Sequence, residues 1–150
     1  MTSTIRSGTL KVTITEEIKL KENTKVINAL SISDINEVSQ RIVTVPTSEV
    51  TIISFGTAVA AGTYVESDVR YVRITNLDDT NYAILNIEGD SSTDFSVRLD
   101  PGASHLIVSS KSTGVVDYAD ISGATLEDLT GVKATANTAA CDLELFIASA

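Results

Sequence analysis

The chain has 150 residues, a formal net charge of −9 and one cysteine. That charge argues against a nucleic-acid surface, since phosphates need a basic face, and a lone cysteine excludes an intramolecular disulfide, which fits a reducing compartment or indifference to redox state. No apolar run approaches the roughly 18 residues of a membrane span, and "MTSTIRSGTLKV" lacks the continuous apolar core of a signal peptide.

The length suits a single domain, residues 1–150, that needs no covalent staple. At the start, Leu10, Val12, Ile14, Ile18 and Leu20 alternate with Lys11, Thr13, Thr15, Lys19 and Lys21, broken by Glu16. This period of two predicts a strand, and residues 1–22 are expected to be an extended N-terminal arm or a pairing strand. "TKVINALSIS" continues the pattern with Val26, Leu30 and Ile32. "SDINEVSQRIV" carries two patterns. Asp34 as a cap, Glu37 three residues on, and Ile35, Val38 and Ile42 at helical spacing fit a helix. The helical pattern lasts less than three turns and runs into "IVTV", so strand is the stronger reading. "VSQRIVTV" and "EVTIISF" are β-branched runs parted by a turn signal at Pro46. "FGTAVAAGTYVESD", residues 55–68, reads as a loop long enough to touch a partner.

"YVRITNLDDTNYAILNIEG", residues 71–89, reads as a β-hairpin around "LDDTN". Its outward side chains would be Arg73, Thr75 and Glu88, with Asp78, Asp79 and Asn81 shaping the loop. "EGDSSTD" is a second loop. "DFSVRLD" puts Phe95, Val97 and Leu99 inward and Ser96 and Arg98 outward. "DPGA" sets Pro101 and Gly102 for a type II turn. "HLIVSS" would return with Leu106 and Val108 inward and His105 outward. A short helix is conceivable over "GATLEDL", residues 123–129. "GVKATAN" and "CDLELFIAS" predict a last hairpin around "TAA", with Cys141, Leu143, Leu145 and Ile147 on one face. Cys141 there is a small buried apolar residue.

Nine or ten short strands with at most one or two short helices make an all-β antiparallel sandwich. Its core should hold Val72, Ile74, Leu85, Ile87, Phe95, Val97, Leu99, Leu106, Val108, Leu143 and Leu145.

Chemistry is hard to find. His105 is the only histidine and has no second histidine or cysteine to complete a transition-metal site. No G-x-S-x-G elbow exposes a serine. Gly56 and Gly62 in "GTAVAAG" lack the Lys and Ser or Thr of a phosphate loop. The carboxylate pairs Asp78–Asp79, Glu127–Asp128 and Glu16–Glu17 would have to converge in a cleft to work as acid and base. "GDSSTD" offers Asp90, Ser91 and Asp94 as calcium oxygens, but at no known calcium-loop spacing. No catalytic, cofactor or metal residue is expected, so function must lie in surfaces.

Charge is uneven: residues 66–150 hold five basic and fourteen acidic side chains, and residues 1–65 balance at six each. Mean hydropathy is +0.16 with no tryptophan. An acidic chain this aliphatic is expected to bury surface against other subunits, as a homo-oligomer or with a partner.

"VRYVRITNLDDTNYAILNIEG", "DFSVRLDPGASHLIV" and "ANTAACDLELFIAS" together resemble small virion structural proteins of tailed bacteriophages, the compact β-sandwich or jelly-roll type that decorates or cements capsids. The resemblance covers residues 50–150 in style and has no diagnostic motif. It implies a non-enzymatic capsid decoration (cement) protein that stabilises the phage head, made in the host cytoplasm and carried on the capsid surface of the virion. Its partner would be the major capsid protein or another virion protein, with no nucleic acid, membrane or cofactor. The alternatives are a neck, tail or fibre-attachment protein, or a carbohydrate-binding sandwich. The last is weakened by seven Tyr and Phe and no Trp.

Overall fold

A computed structural model of the chain describes residues 6–90, 94–109, 116–118 and 126–150. Its strands are β1 (Gly8–Lys19), β2 (Asn23–Ile35), β3 (Glu37–Val45), β4 (Val50–Gly56), β5 (Thr63–Val65), β6 (Val69–Asn76), β7 (Ala83–Gly89), β8 (Asp94–Leu99), β9 (Ser104–Val108), β10 (Val116–Tyr118), β11 (Leu126–Ala136) and β12 (Cys141–Ser149). No helix occurs among the described residues. The segment at Asp34 is strand on both sides. Of the conceivable helix at residues 123–129, residues 126–129 belong to β11 and residues 123–125 lie outside the described part.

Two sheets share one core. The first runs β5-β4-β11-β7-β8, with β10 also on β11; the second runs β3-β12-β6-β9. All pairings are antiparallel except β4–β5. The inward stripes follow the period of two: Val72 and Ile74 from β6, Ala83, Leu85 and Ile87 from β7, Val132 and Ala134 from β11, and Cys141, Leu143, Leu145 and Ile147 from β12. Each fully buried aliphatic side chain contributes roughly 1.5–3 kcal/mol.

Two expected hairpins are not hairpins. β6 and β7 lie in different sheets, and so do β11 and β12. The loops "LDDTN" and "TAA" are corners by which the chain crosses from one sheet to the other. The steps from β3 to β4 and from β8 to β9 also cross. Alternation and a short loop are equally compatible with a turn within one sheet or a corner between two. What selects the corner is burial: each strand has one apolar face, and crossing turns the next strand's apolar face back onto it.

One buried asparagine ties these corners together. Asn76 is fully buried at the end of β6. Its side-chain amide donates to the carbonyls of Asn81 (2.8 Å) and Leu99 (3.1 Å), and its side-chain oxygen accepts from the amide of Asp78 (3.0 Å). A buried amide satisfied this way rigidifies the place where β6, β8 and the first corner meet. The type II turn forms as expected: Gly102 has φ +74°, and the Ala103 amide bonds to the Asp100 carbonyl at 3.0 Å.

The core expectations hold for Val72, Ile74, Leu85, Ile87, Leu99, Leu143 and Leu145, and Cys141 is buried as expected. Val97 is half-buried against the same core. Phe95 is 47% exposed: it shares an inward face with Ile87 but lies on an edge strand. On β9 the faces are exchanged. Ile107 packs into the sandwich, His105 sits opposite the core residue Ile74, and Val108 is exposed. Leu106 packs on the other side of the sheet. "HLIVS" is apolar at three successive positions, so its period does not choose a face.

Candidate interaction surface

β1 and β2 form a two-stranded sheet of their own, registered from Gly8↔Ile35 to Lys19↔Asn23. The 12 residues of β1, about eleven steps of roughly 3.3 Å each, give an arm roughly 36 Å long. The unit is therefore 8–35, both strands of the hairpin, while β3 belongs to the sandwich. Opposite residues of an antiparallel pair share a face. The register puts Leu10, Val12, Ile14 and Ile18 with Ile32, Leu30 and Val26 on one face, interrupted by Glu16 and Asn28. The other face carries Lys11, Thr13, Thr15, Glu17, Lys19 and Lys25.

The base of the apolar face is seated. Ile32, Ile35, Tyr71 and Ala148 are buried together, with Leu10, Val12, Leu106 and Phe146 packed around them. This contact covers part of the outer face of the four-stranded sheet, which explains why Tyr71 and Ala148 are buried although they point away from the core. The Tyr71 and Phe146 rings meet edge to face at 5.9 Å. Arg73 bonds Glu144 at 2.5 Å beside them, and that hydrogen bond holds the Glu144 carboxyl below its ordinary pKa. Burial raises the Tyr71 phenol, opposed by the charge of Arg73. At the root, β2 has two residues, Ser33 and Asp34, where β1 has only Thr9. Asp34 takes φ 60° there, a left-handed conformation that aspartate tolerates better than most residues. The Asn36 amide then bonds to the Ser149 carbonyl at 2.8 Å, fastening the arm's exit to β12.

Beyond the base nothing among the described residues covers the stripe. Eight of the thirteen exposed large apolar side chains among the described residues are Ile14, Ile18, Leu20, Val26, Ile27, Leu30, Val38 and Ile42. The first six are on the arm, with Ile27 on its other face opposite Thr15. Val38 (55% exposed) and Ile42 (61%) are on β3, facing outward beside Ala148 and Glu144. An apolar strip thus runs along the arm past its seat, and on the sheet face Val38 and Ile42 stand on either side of Gln40.

Among the described residues, those with chemically capable side chains do not assemble. Asp78 accepts the amides of Thr80 (2.8 Å) and Asn81 (2.6 Å), and these bonds lower its pKa, so it serves its own turn. Glu16 and Glu17 lie on opposite faces of the exposed arm. Asp128 is exposed on β11. Burial raises the Cys141 thiol, helped by Asp78 and Asp142, which leaves it a packing residue. Burial holds the His105 imidazole below its ordinary value. For the calcium idea, Ser91 lies outside the described residues. Asp90 instead helps to raise the carboxyl of Glu66, after burial and Asp128. That grouping joins residues far apart in sequence and has no local motif. Among the described residues no three His, Cys, Asp or Glu are placed to hold a metal. A groove of about 290 Å³ between the 55–68 segment and the end of β12 is lined by Glu37, Tyr64, Asp68 and small residues. The Tyr64 hydroxyl there donates to Ser39 at 2.8 Å.

Against known proteins, no family model matches the chain, and no curated protein or solved structure matches it.

Proposed function

We propose that the chain is a non-enzymatic structural subunit of a bacteriophage virion that acts through its surfaces, most specifically a decoration or cement protein on the capsid. The observation that carries this reading is the arm: a hairpin roughly 36 Å long that holds its apolar stripe out from a rigid sandwich. A two-stranded hairpin is marginal in water without a further strand or a packing partner. A subunit that bridges others needs such a projection; a catalyst does not.

The strand order adds support. β3-β12-β6-β9 against β4-β11-β7-β8 is, in our reading, the wrapping of a jelly roll, in which strands consecutive along the chain take matching places in the two sheets. Jelly rolls serve viral capsids but also lectins and cupins, so the strand order alone is an analogy. The exposed arm favours assembly over sugar binding.

Coexpression with the coat protein encoded nearest to it in its genome, followed by sedimentation of particles and quantitative mass spectrometry, tests the reading. Hundreds of copies per particle are expected of a decoration protein. A handful of copies would move the chain to the neck, tail or fibre attachment, and particles without it would overturn the virion reading.

A further inference from the structure

At the end of β12 the inward face of its sheet meets the groove beside the 55–68 segment. Cys141, Leu143, Leu145 and Ile147 alternate into the core, and Ser149 takes the next inward position, opposite the core residue Val69 on one side and Glu37 on the other. Ser149 is only 7% exposed, yet it lines the groove. Its carbonyl is taken by the Asn36 amide; among the described residues its hydroxyl bonds to nothing. A hydroxyl removed from bulk water in this way is a group in want of a partner.

The rest of the groove says what that partner is. Glu37 and Asp68 line it, and among the described residues no lysine or arginine does. Neither carboxylate is in an ion pair among the described residues. The Tyr64 hydroxyl donates to Ser39 and can still accept, and Val59 and Val65 add short apolar wall. Acceptors of negative charge beside aliphatic wall complement a primary ammonium on a short alkyl chain, which brings three N–H donors and no acceptor. A calcium ion takes more oxygens than two carboxylates offer. The volume, about 290 Å³, is at the lower end of small-molecule sites, which begin at roughly 300 Å³. The geometry points to this groove as a binding site for a primary alkylammonium group, with Glu37 and Asp68 supplying the charge and the Ser149 hydroxyl accepting an N–H. A free small diamine and the lysine side chain of another protein carry the same group. The site goes beyond the virion reading and does not depend on it.

The test titrates the purified full chain with two probes, diaminobutane and N-acetyl-lysine methylamide, and follows backbone amide shifts by NMR. At least one should saturate with a dissociation constant of ~1 mM or tighter, with shifts centred on Glu37, Tyr64, Asp68 and Ser149. Butanediol, of the same length but uncharged, should not bind. Ser149→Ala and Glu37→Gln should each weaken the ammonium by about tenfold, the loss of one hydrogen bond to a charged group. Ser149→Ala should also leave the melting temperature of the free protein unchanged or higher, because it removes a hydroxyl that no protein group satisfies. Saturation by the diamine but not the lysine derivative assigns the groove to free amines; saturation by the lysine derivative assigns it to a partner's side chain as well. No saturable shift with either probe up to ~50 mM overturns the proposal. So does a diol that binds as tightly as the diamine, or ammonium binding that both variants leave intact. A melting temperature that falls by several degrees in Ser149→Ala means that the hydroxyl serves the fold, and removes it from the site.

Discussion

Ile74 and Ile18 are the same residue in the same secondary structure, each part of an alternating apolar stripe. Ile74 is fully buried between two sheets; Ile18 is 52% exposed on a sheet of two strands. The sandwich closes its stripes against each other, and the arm leaves more than half of its stripe open. An apolar stripe is thus a demand for a partner rather than a guarantee of one. In the sandwich the chain meets the demand itself; on the arm, among the described residues, it meets it only at the base.

The largest expected effect tests that contrast directly. Leu85→Ala, in the core, should cost about 2–5 kcal/mol by urea denaturation, the range for a large-to-small change in a packed interior. Ile18→Ala in dilute protein should cost less than about 0.5 kcal/mol. Similar costs at the two sites would mean that the arm is covered even at low concentration, and the contrast would fail.

Asn76→Ala comes next. It strands the Asp78 amide and the Asn81 and Leu99 carbonyls in a buried corner, at about 1–3 kcal/mol for unsatisfied groups. The loss should appear as faster hydrogen exchange at the ends of β6 and β8, with the arm unaffected. Exchange that quickened equally on the arm would show that arm and sandwich open as one unit.

Two left-handed positions give smaller effects of unequal size. Gly102→Ala forces a side chain into φ +74° and should destabilise the sandwich by about 1 kcal/mol. Asp34→Gly relieves the same conformation at the arm root and should leave melting of the sandwich within about 0.5 kcal/mol of wild type. A large loss there would mean that the root holds up the sandwich as well as the arm.

The smallest effects concern pH and separate two acidic groups. The folded pKa of Asp78 lies below its unfolded value of about 3.9, so its turn bonds stabilise fully above that pH and are lost as pH falls through the folded value. Asp78→Asn should flatten the fall in melting temperature below about pH 4. Glu66 is shifted the other way, by burial and by Asp128 and Asp90. Its contribution is present below its unfolded pKa and is lost as pH rises through the folded one. Glu66→Gln should therefore raise the melting temperature at pH 7 slightly. A melting temperature that fell in Glu66→Gln would contradict the crowding of the three carboxylates.

Most of the strands, and for most of these the face that turns inward, were legible in the sequence; β5 lay inside the loop read at 55–68, and residues 126–129 of β11 lay inside a segment read as a possible helix. Val72 and Ile74, Leu85 and Ile87, and Leu143 and Leu145 alternate strictly, and a period of two is a local property that the chain carries wherever it goes. The turn at Pro101 and Gly102 was equally local, because it depends on two adjacent residues. Where the apolar run was continuous, as in Leu106, Ile107 and Val108, the face was not readable. Tertiary structure alone decided the pairings. β6 and β7 looked like one hairpin and are a corner between sheets, and the same holds for β11 and β12. Nor could alternation tell that "TLKVTITEEIK" would stand out on an arm while "YVRITN" went inside, since both carry the stripe. Which stripe gets covered depends on how many strands close around a common core, and that is settled by contacts between residues far apart in the chain. The arm was left out because the two sheets complete their core without it; only its base found room on the outer face beside Tyr71 and Ala148.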